Sequence, residues 1–149
     1  MKRPRASFSL LILVLGLTPA LAAGSWLDRA RDSTLQLVGR CDSRSSRWEG
    51  GAIYSYCGTS VLRVVQGQPD PSLVVRQRGG EVDGIAQKVT HVTQMEPGKT
   101  YLLFLTKDDS GSWSPTPRGV NLVVDSPDLG PTVAGEPLDE VIRQLGGGN

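Results

Sequence analysis

Apolar and polar positions along the chain fall into short strand-like runs grouped around one stretch, Leu73 to Thr106. Leu73, Val74 and Val75 open it as a compact apolar run. Gly79, Gly80, Glu81, Val82, Asp83 and Gly84 then break it into a loop, and a strand resumes from Ile85 to Val92. Glu96, Pro97, Gly98 and Lys99 read as a turn. After it comes the most hydrophobic run beyond the N-terminal leader: Tyr101, Leu102, Leu103, Phe104 and Leu105.

Upstream, Thr34 to Cys41 is strand-like, and an Arg- and Ser-rich connection ending in Glu49, Gly50 and Gly51 leads to a longer β run, Ala52 to Val65. These two predict a first hairpin. Gln66 to Pro71 punctuates the chain before the central stretch. Ahead of all of them, Ser25 to Asp28 resembles a capping box, predicting a short helix that ends near Asp32 and buries Trp26, Leu27 and Ala30.

Downstream, Lys107 to Gly111 predicts a hairpin turn and a return strand near Trp113, soon interrupted by Pro115 and Pro117. A last strand is expected over Val120 to Val124. Residues 126–135 read as a linker. Leu138, Val141, Ile142 and Leu145 stand at i, i+3, i+4 and i+7, with Pro137 at the first turn and Gly146 as a stop, which predicts a short amphipathic helix docked on the sheet. The final Gly-Gly-Gly-Asn is expected to be disordered. No internal repeat is present.

Five to six strands with Gly and Pro turns, and helices only at the ends, predict a mostly β fold: an antiparallel OB-like barrel of Greek-key type. At 149 residues the chain suits one such domain, expected over 23–125, with 126–149 as linker, C-terminal helix and tail.

The first 22 residues differ in kind. Lys2, Arg3 and Arg5 form a basic head, Phe8 to Leu17 an apolar middle, and Ala20, Leu21 and Ala22 an A-x-A ending, so a secretory signal peptide cleaved before Ala23 is expected. Its apolar middle is about ten residues, half the length of a membrane span, and no Cys follows it to carry a lipid. Stable membrane insertion after cleavage is therefore not expected. Removing Lys2, Arg3 and Arg5 from 16 basic residues leaves 13 against 15 acidic ones, a formal −2. Neither that balance nor export suits nucleic-acid binding.

Export also places Cys41 and Cys57 in an oxidising compartment. A hairpin symmetric about Glu49 would set Cys41 opposite Cys57, Leu37 opposite Val61, Gly39 opposite Thr59 and Leu35 opposite Arg63, the last match inviting a bulge. A structural disulfide is expected; closing a loop of about fifteen residues, it would contribute roughly 3 kcal/mol. The gap lacks the CxxC spacing of redox and metal pairs.

Candidate chemistry is sparse. His91 is the only histidine, expected on a strand, with too few partners for zinc or for general-base work. No nucleophile elbow, zinc-protease helix or phosphate-binding Gly loop occurs, and Glu81 with Asp83 is too small a set for calcium. No catalytic residue, metal or cofactor is expected. The loop Gly79–Gly84 has two readings. Glycine supplies tight backbone there, or the segment with Arg76, Arg78, Gly79, Gly80, Glu81, Asp83 and Gly84 is a recognition loop for a partner. Trp48 and Trp113, expected near loop tips, would either add aromatic contacts or pack over their own hairpins.

Ala52 to Gly67, Val74 to Gln77, Gly79 to Gly84, Glu96 to Gly98 and Tyr101 to Leu105 together resemble a family of uncharacterised secreted bacterial proteins. That family is similar to the netrin-like modules, the OB-type barrel of the tissue inhibitors of metalloproteinases. The resemblance covers about Thr34 to Thr106. Those inhibitors chelate a protease zinc through an N-terminal Cys; here the first Cys is Cys41, well inside the chain, so that wedge does not carry over. The resemblance implies an exported, non-catalytic binding module, periplasmic or extracellular, that meets another protein. Regulation of a secreted protease is the alternative within binding. A small hydrolytic enzyme built on His91, Glu81 or Asp83 is the rival from another class.

Overall fold

A computed structural model describes residues 23–146; the expected leader and the last three residues of the expected tail lie outside them. Along the described chain run α1 (Ala23–Ala30), β1 (Leu35–Glu49), β2 (Ala52–Gln66), β3 (Ser72–Arg78), β4 (Gly80–Val82), β5 (Ile85–Gln87), β6 (Thr100–Lys107), β7 (Trp113–Ser126), β8 (Gly130–Val133), β9 (Glu136–Pro137) and α2 (Leu138–Gln144). Seven strands form one antiparallel sheet in the order β3-β2-β1-β6-β7-β8-β9, and β4 and β5 form a separate hairpin. A parallel contact of Val75 with Trp113 joins β3 to β7 and closes β1, β2, β3, β6 and β7 into a ring.

The apolar run Tyr101–Leu105 is continuous because β6 is buried on both faces. Tyr101, Leu103 and Leu105 point into the ring with Leu35, Leu37, Cys41, Cys57, Val75 and Met95. Leu102 and Phe104 point outward, where both helices cover them with Trp26, Ala30, Leu138, Val141 and Ile142. Trp26 meets Phe104 edge to face at 6.4 Å, and its indole N–H donates to Glu136 Oε2 at 2.6 Å. The sheet therefore has two cores sharing one central strand, each ring-lining residue alternating with one under the helices.

Several expectations need correction. The first hairpin turns at Gly50–Gly51, not about Glu49, because two consecutive glycines at φ 56° and 82° supply the left-handed pair of a type I′ turn. Its register accordingly pairs Cys41 with Thr59, Cys57 with Arg44, Gly39 with Val61 and Leu37 with Val64. The ladder slips at three places, one of them between Cys41 and Ser43, where Asp42 is the extra residue of a bulge. The Gly79–Gly84 loop is largely the β4–β5 hairpin, turning on Asp83 and Gly84 at φ 50° and 78°. The strand expected to run to Val92 stops at Gln87, and His91 lies in a turn at φ 62°.

Pro115 and Pro117 do not end β7. Pro115 pairs with Leu105 and Val120 with Leu103, so Thr116–Gly119 is looped out of the ladder and neither ring nitrogen breaks a regular pairing. The expected linker contains β8, which continues the sheet from Ser126 to Gly130 by a tight hairpin. At the N-terminus Trp26 and Ala30 are buried, but Leu27 is 53% exposed, since a two-turn helix presents only one narrow face to the sheet. The C-terminal helix stands where its spacing predicts, with Leu138, Val141 and Ile142 buried.

Candidate functional site

β1 pairs with β6 only over Leu35–Arg40, so the distal half of β1 extends past β6, while the facing half of β2 carries β3 along Tyr54–Ser60. The Asp42 bulge reverses which side chains face inward there. Instead of continuing the apolar series Leu35, Leu37, Cys41, the strand turns Arg44 and Ser46 toward the interior side. The β4–β5 hairpin lies on this polar platform. Gly80 rests so close that a Cβ would come within 2.6 Å of Ser46 Oγ, which leaves room only for glycine. Ser46 and Ser55 hydroxyls meet at 2.9 Å, Ser55 Oγ donates to the Gly79 carbonyl at 2.7 Å, and the Ile53 N–H donates to Gln87 Oε1 at 2.7 Å.

The irregular segment between β5 and β6 is strapped to the same platform. Gln77, almost fully buried, donates to the Thr93 carbonyl at 2.8 Å and accepts from the Met95 N–H at 2.9 Å. Gln94 donates to the Arg78 carbonyl at 2.8 Å. Between hairpin, segment and platform opens a cavity of about 820 Å³, lined among others by Arg44, Ser46, Glu81, Gln87, Val92 and Gln94. Arg44 forms no ion pair among the described residues; its Nη2 donates to the neutral Ser55 Oγ and Gln94 Oε1, each at 3.1 Å. The arrangement is an open pocket with one half-buried guanidinium, and with the carboxylates of Glu81 and Glu96 in its lining.

The sequence-predicted loop residues divide by this geometry. Gly80 and Glu81 line the cavity; Asp83 and Gly84 form the hairpin tip; the Gly79 N–H is tied to the Ile53 carbonyl at 2.7 Å; Arg78 is exposed at the end of β3. Arg76 is elsewhere. It stacks 3.6 Å above the Tyr54 ring and donates to Tyr56 Oη at 3.2 Å, Glu49 Oε2 at 2.8 Å and Asp108 Oδ2 at 3.1 Å. Tyr56 also bonds Glu49, and Arg47 lies 4.1 Å over the Tyr56 ring. Hydrogen bonds from Tyr56, Arg47 and Arg76 hold the Glu49 carboxyl down to about 2. Trp48 is exposed near the tip of β1, whereas Trp113, the residue after the 108–112 turn, packs over its own hairpin beneath Lys107 and on the ring core at the seam with β3.

Cys41 and Cys57 face the same ring interior as buried free thiols, Cys41 donating to the Ser43 carbonyl at 3.5 Å and Cys57 to the Met95 carbonyl at 3.8 Å. The expected disulfide is thus not formed in this structure, although the bulge at Asp42 brings the sulfurs together across a diagonal of the hairpin. Burial pushes the Cys57 thiol up to about 12 and raises Cys41 as well, so neither is a thiolate at neutral pH. Sequence reasoning missed Arg44, hidden in what reads as a polar connection. The signal was available only through the bulge, which no composition reveals.

No helix among the described residues is long and apolar enough to cross a membrane, and no three His, Cys, Asp or Glu side chains gather there as metal ligands. Fold and site together define a class, a mostly β ring with helices over one face and a hairpin-roofed pocket beyond it. No protein-family model, curated protein or solved structure matches the chain.

Proposed function

We propose that the chain is an exported, non-catalytic binding module on an OB-like barrel, using the β4–β5 hairpin and the cavity beneath it to engage a protein partner. The ring order β1-β2-β3-β7-β6, with its one parallel contact between third and fifth ring strands, supports the OB-like reading. The leader pattern of residues 1–22 supports export. The observation that carries the binding reading is the Arg44 cavity: a guanidinium held by neutral acceptors under a hairpin fixed by Gly80, with Glu81 at its wall and Ile85 exposed. A rigid hairpin offering charge and apolar surface next to a pocket suits recognition of another chain. The protonated thiols Cys41 and Cys57 serve the barrel interior and are expected to form a cross-link on oxidation.

The test is capture from an envelope fraction with the exported chain as bait. The double charge reversal Arg78→Glu, Glu81→Lys is expected to abolish capture of a specific partner while leaving the melting temperature unchanged. Undiminished capture by that variant would remove the hairpin from the interface.

A further inference from the structure

A second cavity, of about 480 Å³, opens between α1, the turn around His91 and the looped-out residues of β7. Its charged or ionisable lining is Arg29, His91 and Arg118 without any carboxylate, and Thr90, Thr93 and Thr116 add hydroxyls. Neither arginine forms an ion pair among the described residues. Arg29 lies 4.8 Å from the Trp26 ring centroid and its Nη1 donates to Asn121 Oδ1 at 3.0 Å, yet its Nε is buried with no acceptor. A guanidinium partly withdrawn from water without a counter-charge is costly unless an anion completes it.

The backbone adds an independent observation. His91 and Arg118 adopt φ of 62° and 58°, two of four non-glycine residues in the left-handed region among those described, and both line this cavity. Such conformations persist where the surroundings impose them and cluster at ligand sites. Here Gly119 is wedged so tightly that a Cβ would stand 2.5 Å from the Phe104 carbonyl, which forces the sharp course of the loop. Asn121 holds the Arg29 side chain and the Arg118 main chain together: its Nδ2 donates to the Arg118 carbonyl at 3.2 Å and to the Leu102 carbonyl at 3.3 Å, while its Oδ1 receives Arg29; the Arg118 side chain is itself exposed at the cavity.

We infer that this cavity binds a phosphate dianion, free or as the phosphomonoester of a small polar molecule, clamped by Arg29 and Arg118, with Asn121 as the positioning residue. Two permanent charges and an imidazole match a doubly charged group. The planar guanidinium fork suits its oxygens, and the threonine hydroxyls donate to those that remain. The volume lies within the range of about 300–1,000 Å³ typical of small-molecule sites and leaves room for a modest substituent. The inference does not rest on the role proposed for the hairpin cavity, with which the site shares only the wall at Val92 and Thr93.

Isothermal titration of the purified chain with inorganic phosphate, with glycerol 3-phosphate and with succinate tests it. Saturable binding of at least one phosphate compound is expected, with succinate weaker. Tighter binding of the ester assigns an organic phosphate; tighter binding of the free ion assigns phosphate itself. Arg118→Gly removes the charge but is at ease at positive φ, so it is expected to melt no lower than the parent in buffer and to bind at least roughly tenfold more weakly. Arg29→Gln carries the same comparison should that variant not fold. The inference is overturned by absence of saturable binding at millimolar phosphate, by equal or tighter binding of succinate, or by an affinity unchanged in both variants.

Discussion

Arg76 ties three parts of the ring together, and its removal is the sharpest test of how the fold is held. The guanidinium joins Glu49 at the β1–β2 turn, Tyr54 and Tyr56 on β2, and Asp108 in the β6–β7 turn, with its side chain only 18% exposed. The stack on Tyr54 is worth about 1 kcal/mol, and two partly shielded charged hydrogen bonds about 1 kcal/mol each once screening is allowed for. Neither carboxylate is orphaned by the loss. Glu49 keeps Arg47 and Tyr56, and Asp108 keeps the Ser110 and Ser112 N–H groups. Arg76→Ala should therefore cost about 2–3 kcal/mol in urea unfolding at neutral pH, short of the cost of stranding a buried charge. Arg76→Lys should lose roughly half of that, keeping one charge without the fork. Arg47→Ala, 65% exposed, should leave the urea midpoint nearly unchanged. The acid limb adds a signature: the folded Glu49 carboxyl lies near 2, below its unfolded value of 4.5, so its contribution is present above about 4.5 and is lost as pH falls toward 2. Arg76→Ala should flatten that limb only in part, since the hydrogen bonds of Tyr56 and Arg47, the larger causes, remain. Equal stability losses for Arg76→Ala and Arg47→Ala would refute the reasoning, because the ring seam would then not depend on the stacked guanidinium.

Three further outcomes are expected. Mild oxidation of the folded chain should link Cys41 to Cys57, read as loss of both free thiols after denaturation, and raise stability by about 3 kcal/mol if the ring accepts the bond unstrained; retention of both thiols would place the sulfurs too far apart. Gly80→Ala should destabilise by about 1–3 kcal/mol or release the β4–β5 hairpin, detectable by amide exchange at Ile53 and Gly79, because the new methyl meets Ser46 and the backbone stands at φ 137°. Phe104→Ala, beneath both helices, should cost about 3–5 kcal/mol, and an unaltered urea midpoint would mean that the helices do not cover β6.

What the sequence discloses and what it hides follow from the range of the interactions involved. Strand identity for β2, β3 and β6 and the amphipathic C-terminal helix are local properties, set by apolar runs and by spacing at i, i+3 and i+4, and they stand in the structure much as the pattern predicts. The β4–β5 hairpin was legible too, in the Asp83–Gly84 pair, although glycine-rich composition reads first as loop. Register was not. It depends on where bulges fall, and Asp42 carries no mark that distinguishes it from an ordinary exposed strand residue. One extra residue there moved Cys41 opposite Thr59 and turned Arg44 inward.

The same reasoning explains why both cavities lie at irregularities instead of on the ring itself. A ring of paired strands satisfies its own backbone groups and fills its interior with side chains, which leaves neither open polar groups nor space. These two openings lie where pairing fails: at the Asp42 bulge, which turns Arg44 toward the hairpin cavity, and at the looped-out Thr116–Gly119, which places Arg118 in one lining with Arg29 and His91. The irregular segment between β5 and β6 supplies a wall to each, since Val92 and Thr93 line both. Gln77 and Gln94 hold that shared wall by side-chain hydrogen bonds to backbone. Filling either cavity should therefore stiffen the segment that borders the other, and coupling between phosphate and a protein partner would pass through these glutamines.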